Sequence, residues 1–186
     1  GNGNNATQAT AASQGQYSTT GINGNTVVNF DGADDFYSNA LTATVRVMIV
    51  VFKSNNTAGE NQLYGDYASG AHTSIMGADG TYSFNGAVGG NAGKAKYLMD
   101  NDAGYSGWLR DSTTGDSVWS NATSHISYVQ MKSNGGIAVS AQDIGYDGQA
   151  SDYYDGDIAE ILVFNTTVMG ADNTAVMDYL RLKYGI

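Results

Sequence analysis

Carboxylates are the most abundant chemistry-bearing groups in this 186-residue chain: 18 Asp and Glu stand against 8 Lys and Arg, with two histidines and no cysteine. Hydrolysis of a glycosidic bond needs a pair of carboxyls, about 5 Å apart for retention or about 6.5–9.5 Å for inversion. The only glutamates are Glu60 and Glu160, and neither has an acid two residues away on the same strand face. Asp155, Asp157 and Glu160 come nearest, but 157 and 160 differ by an odd number, so a regular strand sends them to opposite faces. Nucleophilic chemistry is no better supplied. His72 and His125 sit among turn-forming residues, and no G-x-S-x-G elbow surrounds a serine. Without cysteine, and with two distant histidines, a zinc site is not composed here. The expectation is a protein that is not an enzyme.

Two other chemistries fit the residues better. Calcium takes six to eight oxygens from carboxylates, carbonyls and water, and three acidic, Gly- or Asn-containing stretches offer them. They are Asp31-Gly32-Ala33-Asp34-Asp35, Asp100-Asn101-Asp102, and Asp143 to Asp147 with Asp152, Asp155 and Asp157. None has the ligand spacing of an EF-hand, and Asp-Gly pairs also serve simply as turns whose carboxylates bind local amides. Sugar recognition needs flat aromatic faces beside hydrogen-bonding side chains. Tyr105, Trp108, Trp119, Tyr146, Tyr153 and Tyr154 lie in or beside Gly/Asp/Ser segments that suit such a site, although Tyr and Trp equally pack cores and subunit interfaces.

The elements that must hold these groups follow from composition. The chain has 25 glycines, no proline, and much Thr, Ser, Asn and Tyr, as short strands joined by tight turns require. A formal charge of -10 and a pI near 4.2 argue against nucleic acid and anionic bilayers as partners. The longest apolar run, Val45 to Phe52, is strand-sized and interrupted by Arg46, so no membrane insertion is expected.

Residues 1–24 read as a polar surface arm or strand edge, and residues 25–186 as one domain. Val27, Val28 and Phe30 begin the first clear strand, and Asp31-Gly32 turns it. Leu41–Lys53 is apolar on both faces and belongs in the centre of a sheet, with Val45, Val47, Ile49 and Val51 on one side. Further strands are expected at 62–67, 73–76, 81–85, 96–99, 107–111, 116–119, 126–132 and 136–141, with no helix between them. After the turn dipeptide Asp155-Gly156, the run Ile158 to Phe164 reads as a buried strand. Then the period changes: Val176, Met177, Leu180 and Tyr184 are spaced for a helix that Gly185 stops.

This tail, GDIAEILVFN followed by VMDYLRLKYG, resembles the C-terminal signature of bacterial and phage laminin-G-like domains of the concanavalin A-like lectin/glucanase superfamily. The stretch NGNTVVNFDGADDFYSNAL at 23–41 is similar to a second element of that family, and the segment before it to the family's opening loop. The resemblance implies an all-β, two-sheet jelly-roll sandwich with one short C-terminal helix. It also implies calcium at a sheet edge, placed here on Asp31 and Asp34 with Glu160. Taken with the residues, it leads to a non-catalytic module binding a glycan, surface polysaccharide or host surface through Tyr105, Trp108, Trp119, Tyr153 and Tyr154. Its setting would be extracellular, on a cell surface or on a virion, in a tail, fibre or capsid decoration. The alternative is a structural subunit of a shell, sheath or filament, joined to neighbouring subunits or to copies of itself by strand addition of the N-terminal arm. The chain opens inside what looks like the family loop, so processing or an upstream continuation is expected.

Overall fold

A strand with apolar residues at six successive positions is stable only when both of its faces are covered. Val47–Ser54 meets that condition: every residue from Val47 to Phe52 is buried. The computed structural model describes residues 5–55, 59–66, 71–78, 81–86, 95–99, 124–131, 137–139, 142–146, 153–166 and 171–186. Among the described residues there are 14 strands, all paired antiparallel in three sheets, and one α-helix. One six-stranded sheet runs in the order β10 (Ala95–Met99), β11 (Ser124–Met131), β6 (Val47–Ser54), β14 (Asp155–Phe164), β3 (Val27–Asp31) and β2 (Gln16–Ser18). The other six-stranded sheet runs β1 (Ala6–Thr7), β4 (Tyr37–Asn39), β13 (Gln142–Ile144), β7 (Gly59–Asp66), β8 (Ala71–Ala78) and β9 (Thr81–Gly86). β5 (Ala43–Val45) and β12 (Ile137–Val139) make a two-stranded third. The expected strands at 107–111 and 116–119 lie outside the described residues.

Two cores share β6. On one face Met48, Val50 and Phe52 join Phe30, Leu63, Tyr64, Tyr154 and Ile158, drawing residues from both large sheets. On the other, Val47, Ile49 and Val51 meet Ile126, Tyr128 and the helix α1 (Ala171–Tyr184) through Met177, Leu180 and Tyr184. The long strand expected at 41–53 is divided at Arg46, whose N–H donates to the Phe164 carbonyl at 2.8 Å. The break reverses the face: Val45 enters the inter-sheet core, opposite to Val47, where unbroken alternation would have put both on one side. Within the strand expected at 136–141 the structure describes β12, and β13, which was not expected, follows in a different sheet. Asp155-Gly156 is not a turn but the start of β14. Only glycine fits there, since φ is +142° and a Cβ would stand 2.2 Å from the Lys53 carbonyl oxygen.

Residues 5–26 contribute to the sheets and to the core. Among the described residues β1 and β2 are outer strands, one in each large sheet, as the strand-edge reading of this segment has it, whereas Ile22 is buried in the helix-side core, where no core was expected. The loop after Ile22 also closes the helix. Asn23 donates through its amide to the carbonyls of Tyr184 and Gly185, and Asn25 donates to that of Lys183 at 3.0 Å. These satisfy carbonyls that a helix end leaves without partners. Gly185, at φ +66°, returns its N–H to Arg181 at 2.7 Å, the expected glycine stop.

Leu180→Ala should lower the unfolding free energy by about 2–5 kcal/mol, because the buried side chain leaves a cavity between helix and sheet. Leu182→Ala, two residues on at the opposite face of the helix and 86% exposed, should change it by less than about 0.5 kcal/mol. Urea unfolding of both variants measures the contrast, and equal effects would show that the helix is not docked by this face.

Candidate binding rim

Three chain segments converge where the two large sheets meet: the loop after β3, the residue following β13, and the residues preceding β14. Phe36 precedes β4, Tyr146 follows β13, and Tyr153 precedes β14; β4 and β13 are directly paired. The rings of Tyr146 and Tyr153 stack with centroids 4.5 Å apart and planes 12° from parallel. Phe36 leans on both, at 5.4 Å and 6.5 Å. All three are half-buried, so each ring keeps part of its surface at solvent. Gln62, wholly buried, anchors the platform from beneath by donating to the carbonyls of Tyr146 at 2.6 Å and Gly65 at 3.1 Å. Gly145, at φ +80°, lets the chain pass over Phe30, whose ring would lie 2.7 Å from any Cβ there.

Directly before Phe36 lies the acidic loop. Carboxylate oxygens of Asp31, Asp34 and Asp35 all lie within 4.8 Å of one another. Asp31 accepts from the N–H of Ala33 at 2.9 Å, Asp35 accepts from the N–H of Asp31 at 3.1 Å, and the Ser13 hydroxyl donates to Asp34 at 2.8 Å. Asp35 is only 4% exposed, and burial pushes its carboxyl above the usual range. The Asp31 amide hydrogen bond opposes this rise, while the charges of Asp31 and Asp34 add to it. Three acids held this close repel one another, and a hard cation with an oxygen shell is the ligand that would relieve them.

The placement of the residues singled out from sequence is mixed. Asp31 and Asp34 come together, but with Asp35; Glu160 is elsewhere. A register shift between Ile158 and Glu160, a β-bulge, turns Glu160 toward the helix. There it accepts from Lys183 Nζ at 2.7 Å and the Tyr184 hydroxyl at 2.9 Å. The hydrogen bond to Glu160 is the main cause of a raised Lys183 pKa. The bulge also defeats the odd-spacing expectation, since it cancels the alternation between 157 and 160.

Tyr153 belongs to the platform, whereas Tyr154 has no exposed surface. It packs edge-on against Phe30 at 6.0 Å, donates to the Asp157 carbonyl at 3.3 Å, and is held far above the usual phenol range chiefly by burial. A sugar cannot reach it. Tyr105, Trp108, Trp119 and the Asp100–Asp102 cluster lie outside the described residues.

Of the third acidic stretch, Asp147 and Asp152 lie outside the described residues, and the other three are each bound to a different neighbour. Asp143 sits in β13 and accepts from Ser38 at 2.8 Å, Asp155 accepts from Asn55 at 3.3 Å, and Asp157 accepts from Asn29 at 2.9 Å. His125 is in β11, buried and tilted on the Phe52 ring at 5.7 Å, rather than in a turn. Phe36 was not singled out from sequence; its only signal was an aromatic next to the acidic loop.

No protein-family model matches the chain, and no curated protein or solved structure matches it at a significant level.

The Asp35 pKa gives a signed pH effect. Because the folded value is raised above the ordinary 3.8, the native state favours the protonated acid. That contribution is complete below 3.8 and is lost as pH rises through the folded value. In chelator, Asp35→Asn should therefore melt at a higher temperature than the unaltered chain at pH 7, with the gap closing toward pH 3. A variant of equal or lower midpoint at pH 7 would contradict the cost assigned to burying this charge beside Asp31 and Asp34.

Proposed function

We propose that this chain is a non-catalytic binding module, a two-sheet jelly-roll sandwich of the concanavalin A-like, laminin-G-like kind with a C-terminal helix. Its ligand is a glycan or surface polysaccharide taken at the rim. The observation that carries the reading is the stacked Tyr146–Tyr153 pair, flanked by Phe36 and placed beside the carboxylates of Asp31, Asp34 and Asp35. Aromatic faces contact the apolar faces of a sugar ring while carboxylates and amides accept from its hydroxyls. Calcium is proposed at Asp31, Asp34 and Asp35, where it would neutralise the loop and offer coordination to vicinal hydroxyls. The acids along β14 support a role without hydrolysis, since Asp155, Asp157 and Glu160 are each bound to a neighbouring side chain. An extracellular, cell-surface or virion-surface setting goes with this reading.

One feature favours a second reading, a structural subunit in a larger assembly. Among the described residues β2 is an outermost strand, and its Tyr17 is 72% exposed. An outer strand with an exposed aromatic suits strand addition by a neighbouring copy.

On an array of neutral and acidic glycans, the module should bind a defined subset, and Tyr153→Ala or Tyr146→Ala should each weaken that binding at least about tenfold. Millimolar calcium should raise the melting midpoint of the unaltered chain but not of Asp34→Ala. No glycan bound, with concentration-dependent polymers abolished by Tyr17→Ser, would favour the assembly reading instead. Binding retained in both folded tyrosine variants would remove the rim as the site.

A further inference from the structure

A second site is visible between the sheets, on the side of β14 away from the helix. β3 stops pairing with β14 at Ile158, opposite Val28, and the next β14 residues on that face, Ile161 and Val163, are partly buried. A first space of about 370 Å³ lies there, bordered by Val28, Phe30, Tyr37, Ile144, Ile158 and Ile161. A second, of about 560 Å³, is bordered by Asn39, Leu41, Thr44, Tyr64, Phe164 and Asn165, and shares Ile144 and Ile161 with the first. The first is lined mainly by apolar groups, and the second mixes apolar groups with polar ones. Both volumes fall in the range of small-molecule sites.

We propose that this cleft binds a neutral amphiphile, with an alkyl or aromatic body in the first space and an uncharged hydroxyl or amide head in the second. A cavity of about 150 Å³ accepts a benzene, so the first space has room for about fifteen non-hydrogen atoms. The head is assigned as uncharged from the lining. Among the described residues that border the two spaces, only Glu160 is ionisable to a charge near neutral pH, and its carboxylate is already held by Lys183 and Tyr184. Among the described lining residues there is no cation to pair with a carboxylate or phosphate head, and a chain of formal charge -10 repels such heads at long range. Asn39, Thr44 and Asn165 supply donors and acceptors that suit a hydroxyl or amide.

The test is calorimetric titration of the full chain with 1-decanol and with sodium decanoate, each below its aggregation limit. Decanol should bind saturably at one per chain, and decanoate at least about tenfold more weakly. Ile144→Phe and Ile161→Phe, which narrow both spaces, should each weaken decanol at least about tenfold while keeping the circular dichroism of the unaltered chain. If either fails to fold, Ala6→Trp on the exposed edge strand beside the first space replaces it. Unsaturable uptake, equal affinity for decanoate, or unchanged affinity in the folded variants would overturn the proposal.

Discussion

The antiparallel ladder between β14 and β6 is the constraint on which everything else rests. It joins Gly156–Phe164 to Val47–Ser54 and continues on the other side into β3. Both strands are loaded on both faces, so the ladder is at once the floor of the inter-sheet core and the bed of the helix. Its bulge after Ile158 is the point where one side becomes two jobs: Ile158, Ile161 and Val163 point to the sheets, and Ala159 and Leu162 to the helix side. Glu160 then reaches Lys183 and Tyr184, tying the last turn of the helix to the strand beneath it.

The same ladder sets the chemistry of the rim. Because Asp155 is paired opposite Asp31, the residues just before β14 must run beside the acidic loop after β3. Strand alternation buries Tyr154 and leaves its neighbour Tyr153 beside Tyr146. Rigid strand ends hold the rings while the loop supplies charge, the division of labour found when a scaffold carries a binding site on its connections. The rim is thus polar and aromatic, whereas the first space along the other half of β14, beyond the end of the β3 pairing, is mainly apolar.

The features visible in the sequence were those written in a repeating period. Val47–Phe52 could only be a central strand, and Val176, Met177, Leu180, Tyr184 and Gly185 could only be a docked helix with its stop. Interruptions of period were hidden. Arg46 reads as one polar residue within an alternating strand, yet the chain breaks there, and nothing in IAEIL marks a bulge. The resemblance groups Glu160 with the loop aspartates, and only the bulge shows its partner to be Lys183, 23 residues later. Choosing between Tyr153 and Tyr154 needed the register of β14, which is set by its partners in β3 and β6. β4 was hidden because three residues between an Asp-rich turn and Asn39 have too little pattern to declare a strand.

Native-state hydrogen exchange tests the primacy of this ladder most directly. If it is the element that all others depend on, the paired amides between Val47–Val50 and Ile161–Phe164 should exchange only through global unfolding. Their exchange free energies would then equal the stability from denaturant unfolding and would be the highest in the chain. Faster exchange in this ladder than in β7 and β8, through a partial opening that leaves the other sheet intact, would contradict the account.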